Sequence, residues 1–111
     1  MSRIRQQGPR RELPGGWPLD GLFVGVATLR TTRELYRQDG SAPRPWDLAL
    51  WSGVSPQGTR NSLRRLEALG LVKALRPDRP GGAPRFTLDR THPLYPSLAS
   101  LFGAERKMLR R

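Results

Sequence analysis

PWDLALWSGVSPQGTRNSLRRLEALGLVKAL, residues 45–75, carries a helix, a sharp turn, a second helix and the start of a strand in unbroken order. Pro45 suits the first position of a helix, because its fixed φ is pre-set for that turn and its missing N–H would have had no partner there. Trp46, Leu48, Ala49, Leu50 and Trp51 make the helix mostly apolar, and Gly53 ends it. Ala49 is small enough to let a following helix approach closely. Four residues on, Gly53 has no Cβ to obstruct a reversal of the chain. Ser55 is a strong N-cap, with Pro56 behind it at the first helical position. Leu63, Leu66 and Leu69 then recur every three residues until Gly70 closes the helix.

After Gly70 the period changes to two. Leu71-Val72-Lys73-Ala74-Leu75-Arg76 forms one strand and Arg85-Phe86-Thr87-Leu88 the other, joined by the Pro- and Gly-rich stretch 77–84. That connection is too long for a two-residue turn, so a hairpin with an extended loop is expected. The order helix, tight turn, helix, hairpin predicts an α+β fold that is mainly helical, with a helix-turn-helix over about 45–69 and a two-stranded hairpin over about 71–89.

On the N-terminal side, residues 19–44 supply one more helix. Asp20 is its expected N-cap, and it runs to Gln38 with Leu22, Val26, Leu29 and Tyr36 on the inward side, although Gly21 and Gly25 also permit a strand at its start. A turn follows at Asp39-Gly40-Ser41. Residues 1–18 combine Arg3, Arg5, Arg10 and Arg11 with Gly and Pro and offer no packed face, so they are expected to form a flexible basic arm ahead of a domain over 19–111. On the C-terminal side, His92-Pro93-Leu94-Tyr95-Pro96 is a connector to a final helix over about 96–110 bearing Leu98, Leu101, Phe102, Met108 and Leu109. This helix either packs on its own domain or pairs with a second copy.

Composition narrows the function classes. The chain has 111 residues, 20 Lys and Arg against 9 Asp and Glu, and a formal charge of +11, nearly all of it from arginine. Such a field draws polyanions, and the planar guanidinium fork suits phosphates and guanine edges. With no cysteine there is neither a disulfide nor a thiolate metal site. The longest apolar run, Leu22 to Leu29, stops at Arg30, far short of the about 20 residues that span a bilayer. No secretory signal is evident, and a cytoplasmic, nucleoid-associated protein is the expectation.

The segments Leu48-Ala49, Gly53-Val54-Ser55, Leu63, Arg65-Leu66-Glu67, Gly70-Leu71-Val72 and Arg85-Phe86-Thr87-Leu88 together resemble the winged helix-turn-helix regulators, similar to the MarR and ArsR superfamilies. The resemblance covers about half of the chain and implies that the second helix of the motif enters the major groove while the hairpin, the wing, touches backbone or minor groove. Two positions depart from the usual pattern. Gly58 leaves what looks like an outward contact without a side chain, and Ser62 stands where an aliphatic is common.

With Thr59, Leu63, Leu66 and Leu69 turned inward, the outward side presents Gln57, Arg60, Asn61 and Arg64 behind the Ser55 cap. Arginine pairs bidentately with guanine and Gln or Asn with adenine, each good pair discriminating by about 1–3 kcal/mol. Gln57, Arg60 and Asn61 are thus candidate base contacts and Arg64 a base or phosphate contact, with Ser55 at the head of the helix also in the expected DNA-binding set. Arg79 near the hairpin tip, with Arg76 and Arg85 at its base, are candidate contacts to backbone phosphates or the minor groove; phosphate contacts would position the domain without reading sequence. Trp17, Trp46 and Trp51 are read as core or interface residues. The expected partner is double-stranded DNA, with a homodimer as one option and no membrane.

Other classes find less support. His92 lies in a connector beside Pro93, the carboxylates are scattered, and no Gly-rich phosphate loop follows a strand, so neither an enzyme nor a cofactor nor a metal site is expected. A winged-helix protein-interaction adaptor, or a plasmid or phage replication, partition or recombination accessory, are the alternatives. RNA binding is disfavoured because no aromatic-rich single-strand platform is visible.

Overall fold

Four helices and one two-stranded antiparallel sheet make up residues 25–110, the part of the chain that the computed structural model describes. In chain order these are α1 (Val26–Arg37), α2 (Pro45–Ser52), α3 (Pro56–Ala68), β1 (Val72–Leu75), β2 (Arg85–Leu88) and α4 (Tyr95–Leu109). The basic segment 1–18, Trp17, the expected N-cap Asp20 and the expected inward Leu22 lie outside the described residues. Among the described residues no helix is long and apolar enough to cross a membrane.

Local chemistry explains where α2 and α3 stop and start. At the end of α2, Gly53 adopts a left-handed φ of 73°, and the N–H groups of Gly53 and Val54 both donate to the Ala49 carbonyl, at 3.1 and 3.3 Å. Ser55 Oγ accepts from the Gly58 N–H at 3.0 Å and caps α3, with Pro56 in the first turn. At the far end Gly70, again left-handed, donates to Glu67 O, and Leu71 N–H reaches back to Leu66 O at 3.0 Å. This paired closure satisfies two carbonyls that the helix would otherwise leave open. His92 reinforces the same end. Its Nδ1 accepts from the Leu94 N–H, which leaves the proton on Nε2, 2.8 Å from the Leu69 carbonyl.

The inward face of α1 differs from the expected one. Thr28, Thr31, Thr32 and Leu35 are buried, while Val26 is 60% exposed, and Leu29 and Tyr36 flank the core as partly buried residues. The departure has a partner on α3: Ser62, fully buried, shares a hydrogen bond between Oγ and Thr28 Oγ1 at 3.1 Å, and Thr32 Oγ1 donates to Thr28 O at 2.7 Å. The serine that stands in an aliphatic's place is therefore matched by a threonine. Small hydroxyl side chains let the two helices meet where larger apolar ones would hold them apart.

Leu35, Leu48, Leu63, Leu66, Leu71, Val72, Phe86, Leu88, Leu98 and Phe102 form one core contributed by every element. The sheet pairs Val72 with Leu88 and Leu75 with Arg85. Phe86 N–H also donates to Pro43 O at 2.9 Å, tying the loop before α2 to the hairpin. The connection between the strands turns at Arg79-Pro80-Gly81-Gly82, where Gly82 N–H bonds to Arg79 O and Gly81 has a φ of 79°. Proline followed by a left-handed glycine is the composition of a type II turn.

Of the expected α4 stripe, Leu98 and Phe102 pack into this core, with the Phe102 ring 5.4 Å from Tyr36. Arg33 of α1 holds both oxygens of Glu105 at 2.8 Å. Leu101, Met108 and Leu109 point to solvent, so the helix packs on its own domain along one side only.

Candidate functional site

Gln57, Arg60, Asn61 and Arg64 emerge on one side of α3, because Thr59, Ser62, Leu63 and Leu66 occupy the buried side. They hold one another. Gln57 Nε2 donates to Asn61 Oδ1 at 2.9 Å, Arg60 Nη2 donates to Gln57 Oε1 at 3.2 Å, and Arg64 Nη1 donates to Asn61 Oδ1 at 3.2 Å. Residues three and four apart are neighbours on a helix, which makes this ladder possible. It leaves guanidinium N–H groups of both arginines facing water.

Gly58 does not leave a gap in that face. A Cβ there would lie 3.0 Å from both Ser55 Oγ and Val54 Cγ1, so the residue is a close-approach point where the chain before α3 presses on its first turn. Ser55 works as the cap of this turn, its Oγ already engaged.

The hairpin arginines separate into two kinds. Arg76 and Arg79 are exposed. Arg85 instead donates to Asp78 Oδ2 at 2.7 Å and to Ala42 O at 3.1 Å, and Arg44 reaches the same Asp78 oxygen at 3.4 Å. The Arg85 hydrogen bond and charge hold the Asp78 carboxyl below the usual carboxylate range. Arg85 thus fastens the hairpin base to the loop before α2, which leaves its guanidinium less free than those of Arg76 and Arg79 for the expected contact with backbone phosphates or the minor groove.

Several other described carboxylates are paired with cations. Glu105 pairs with Arg33, Asp39 with Arg90, Asp89 with Lys73 and Glu34 with Arg37. Among the described residues, no carboxylate stands within 4.0 Å of Arg60, Arg64, Arg76 or Arg79, so these four leave uncompensated positive charge on α3 and the hairpin, as Arg106 and Lys107 do on α4. Also among the described residues, no three His, Cys, Asp or Glu side chains are grouped closely enough to hold a metal ion.

A cleft of about 430 Å³ runs between α3 and the hairpin, with Leu63 and Phe86 among its lining residues, Arg60, Arg64 and Glu67 on the helix side, Ala83 and Pro84 on the hairpin side, and Pro45 and Trp46 from α2. Trp46 is 69% exposed and Trp51 48%, so neither is a core residue. Leu48 and Ala49 take the inward positions of α2, and a helical offset then sends Trp46 and Leu50 outward. That offset from Leu48-Ala49 was the available sequence signal for Trp46, which apolarity alone concealed.

No protein-family model, curated protein sequence or solved structure matches this chain.

Proposed function

We propose that the protein is a winged helix-turn-helix regulator that binds double-stranded DNA in the bacterial cytoplasm, with α3 in the major groove and the hairpin on backbone or minor groove. The observation that carries this reading is the Gln57-Arg60-Asn61-Arg64 ladder, with Gln57 and both arginines exposed and Asn61 half-buried, and without a carboxylate partner among the described residues. At about 1.5 Å per residue, the 13 residues of α3 are about 20 Å long, enough to lie in a groove about 12 Å wide. Arg76 and Arg79 then serve as phosphate contacts, and Ser55 as the cap that fixes the entry of α3. The exposed Leu101, Met108 and Leu109 on α4 support pairing with a second copy, which would set two copies of α3 on half-sites about 34–36 Å apart. One observation favours the adaptor alternative: Leu50 and Trp51 leave apolar surface on α2 uncovered.

The test is fluorescence anisotropy on random duplex DNA across a salt series, alongside selection from a random pool. The expected result is a log–log slope of about −0.9 per phosphate engaged and an enriched motif that an Arg60→Ala/Arg64→Ala variant no longer distinguishes. Absence of duplex binding at low salt would move the adaptor reading to first place. Binding without an enriched motif would indicate an accessory or architectural protein.

A further inference from the structure

We infer that the cleft between α3 and the hairpin is the track of one sugar–phosphate strand, with the Trp46 indole packed on a deoxyribose. The inference rests on the duplex-binding reading above and adds to it a path and a positioning residue. A helix in the major groove and a hairpin in the adjacent minor groove stand on either side of one backbone strand, because that strand is what divides the two grooves. The space between α3 and the start of β2 is the cleft.

Its chemistry matches a strand that alternates anionic phosphates with weakly polar sugar faces. Arg60 and Arg64 bring cations from the helix side, neither with a carboxylate within 4.0 Å among the described residues. Trp46 and Pro84 bring apolar surface from α2 and from the hairpin. Trp46 is the second residue of α2, and with 69% of its surface in water it contributes little to the core. An indole left in water gains by covering a sugar, and it does so without adding charge or reading a base. Glu67 also lines the cleft, one turn beyond Arg64. Its carboxylate repels phosphate and so marks where the strand leaves the protein; Glu67→Gln is expected to tighten binding to every duplex.

The experiment uses the full chain carrying Trp17→Phe and Trp51→Phe, so that Trp46 alone emits, titrated with random-sequence duplex and with any selected sequence. Trp46 emission is expected to change and saturate at the same midpoint as the anisotropy. Trp46→Ala should weaken both duplexes equally, by about tenfold, with the salt slope unchanged. Arg64→Ala should instead reduce the salt slope by about 1. Because the ring is exposed, Trp46→Ala should melt at the wild-type temperature, and Trp46→Phe should restore part of the affinity. Duplex binding with unaltered Trp46 emission and an unaffected Trp46→Ala variant would overturn the track while leaving the DNA-binding reading standing. Loss confined to the selected sequence would also overturn it, since the indole would then be reading a base. No duplex binding by any variant would overturn both.

Discussion

Thr59 Oγ1 is fully enclosed on α3 without a hydrogen-bond partner among the described residues, whereas three positions on, Ser62 Oγ meets Thr28 Oγ1 at 3.1 Å. An unsatisfied buried hydroxyl costs about 1–3 kcal/mol, and a satisfied one leaves its partner stranded when removed. Thr59→Val is therefore expected to raise unfolding free energy by about 1 kcal/mol. Ser62→Ala is expected to lower it by about as much, because Thr28 is left alone, and urea denaturation of the two variants distinguishes the signs. The same residues explain why the inward side of α1 escaped a reading of the sequence. Threonine scores as polar wherever it stands, and Thr28 becomes an interior residue only because α3 presents Ser62 opposite it. Arg85 was concealed in a similar way: nothing local to it announces that Asp78 and the Ala42 carbonyl will meet its guanidinium.

At the scale of elements, the segments whose ends are written in local chemistry were the legible ones. Pro45, Gly53, Ser55, Pro56 and Gly70 each act within one turn of their own position, so α2 and α3 begin and end beside them. The hairpin was legible from its change of period, though β1 pairs over fewer residues than the apolar run suggested. For α3 two substitutions separate cap from core. Ser55→Ala removes one hydrogen bond and should cost about 1 kcal/mol. Leu66→Ala empties a site with no solvent exposure and should cost about 2–5 kcal/mol. Thermal melts that ranked them in the opposite order would show that the helix is held by its first turn more than by its seam. The outward ladder on α3 was foreseen as a set of exposed positions, but the bonds between its members were not, since rotamers decide them.

At the scale of the whole molecule, several carboxylates join elements, among them Asp78, Asp39 and Glu105, and this gives stability a pH profile with two edges. Asp78, lowered first by the Arg85 hydrogen bond, contributes stability that is present above its ordinary pKa of about 3.9 and lost as pH falls through the depressed value. Tyr95, raised by burial and by donating its hydroxyl to Asp39, contributes stability that is full below its ordinary pKa of about 10 and lost as pH climbs through the raised one. Melting temperature should fall at both extremes. Asp78→Asn should flatten the acid edge and Tyr95→Phe the alkaline one. A broad interval between, in which neither group titrates, is where binding measurements belong.

Arg33 and Glu105 are separated by 72 positions in sequence, yet they clasp the first described helix to the last. Such a contact closes a long loop, and long-range closure is slower to establish than contacts between neighbours such as α2 and α3. During synthesis the helical pair and the hairpin can assemble as soon as they emerge. The clasp between α1 and α4 cannot form until Glu105 itself has left the ribosome, well after Arg33 has emerged.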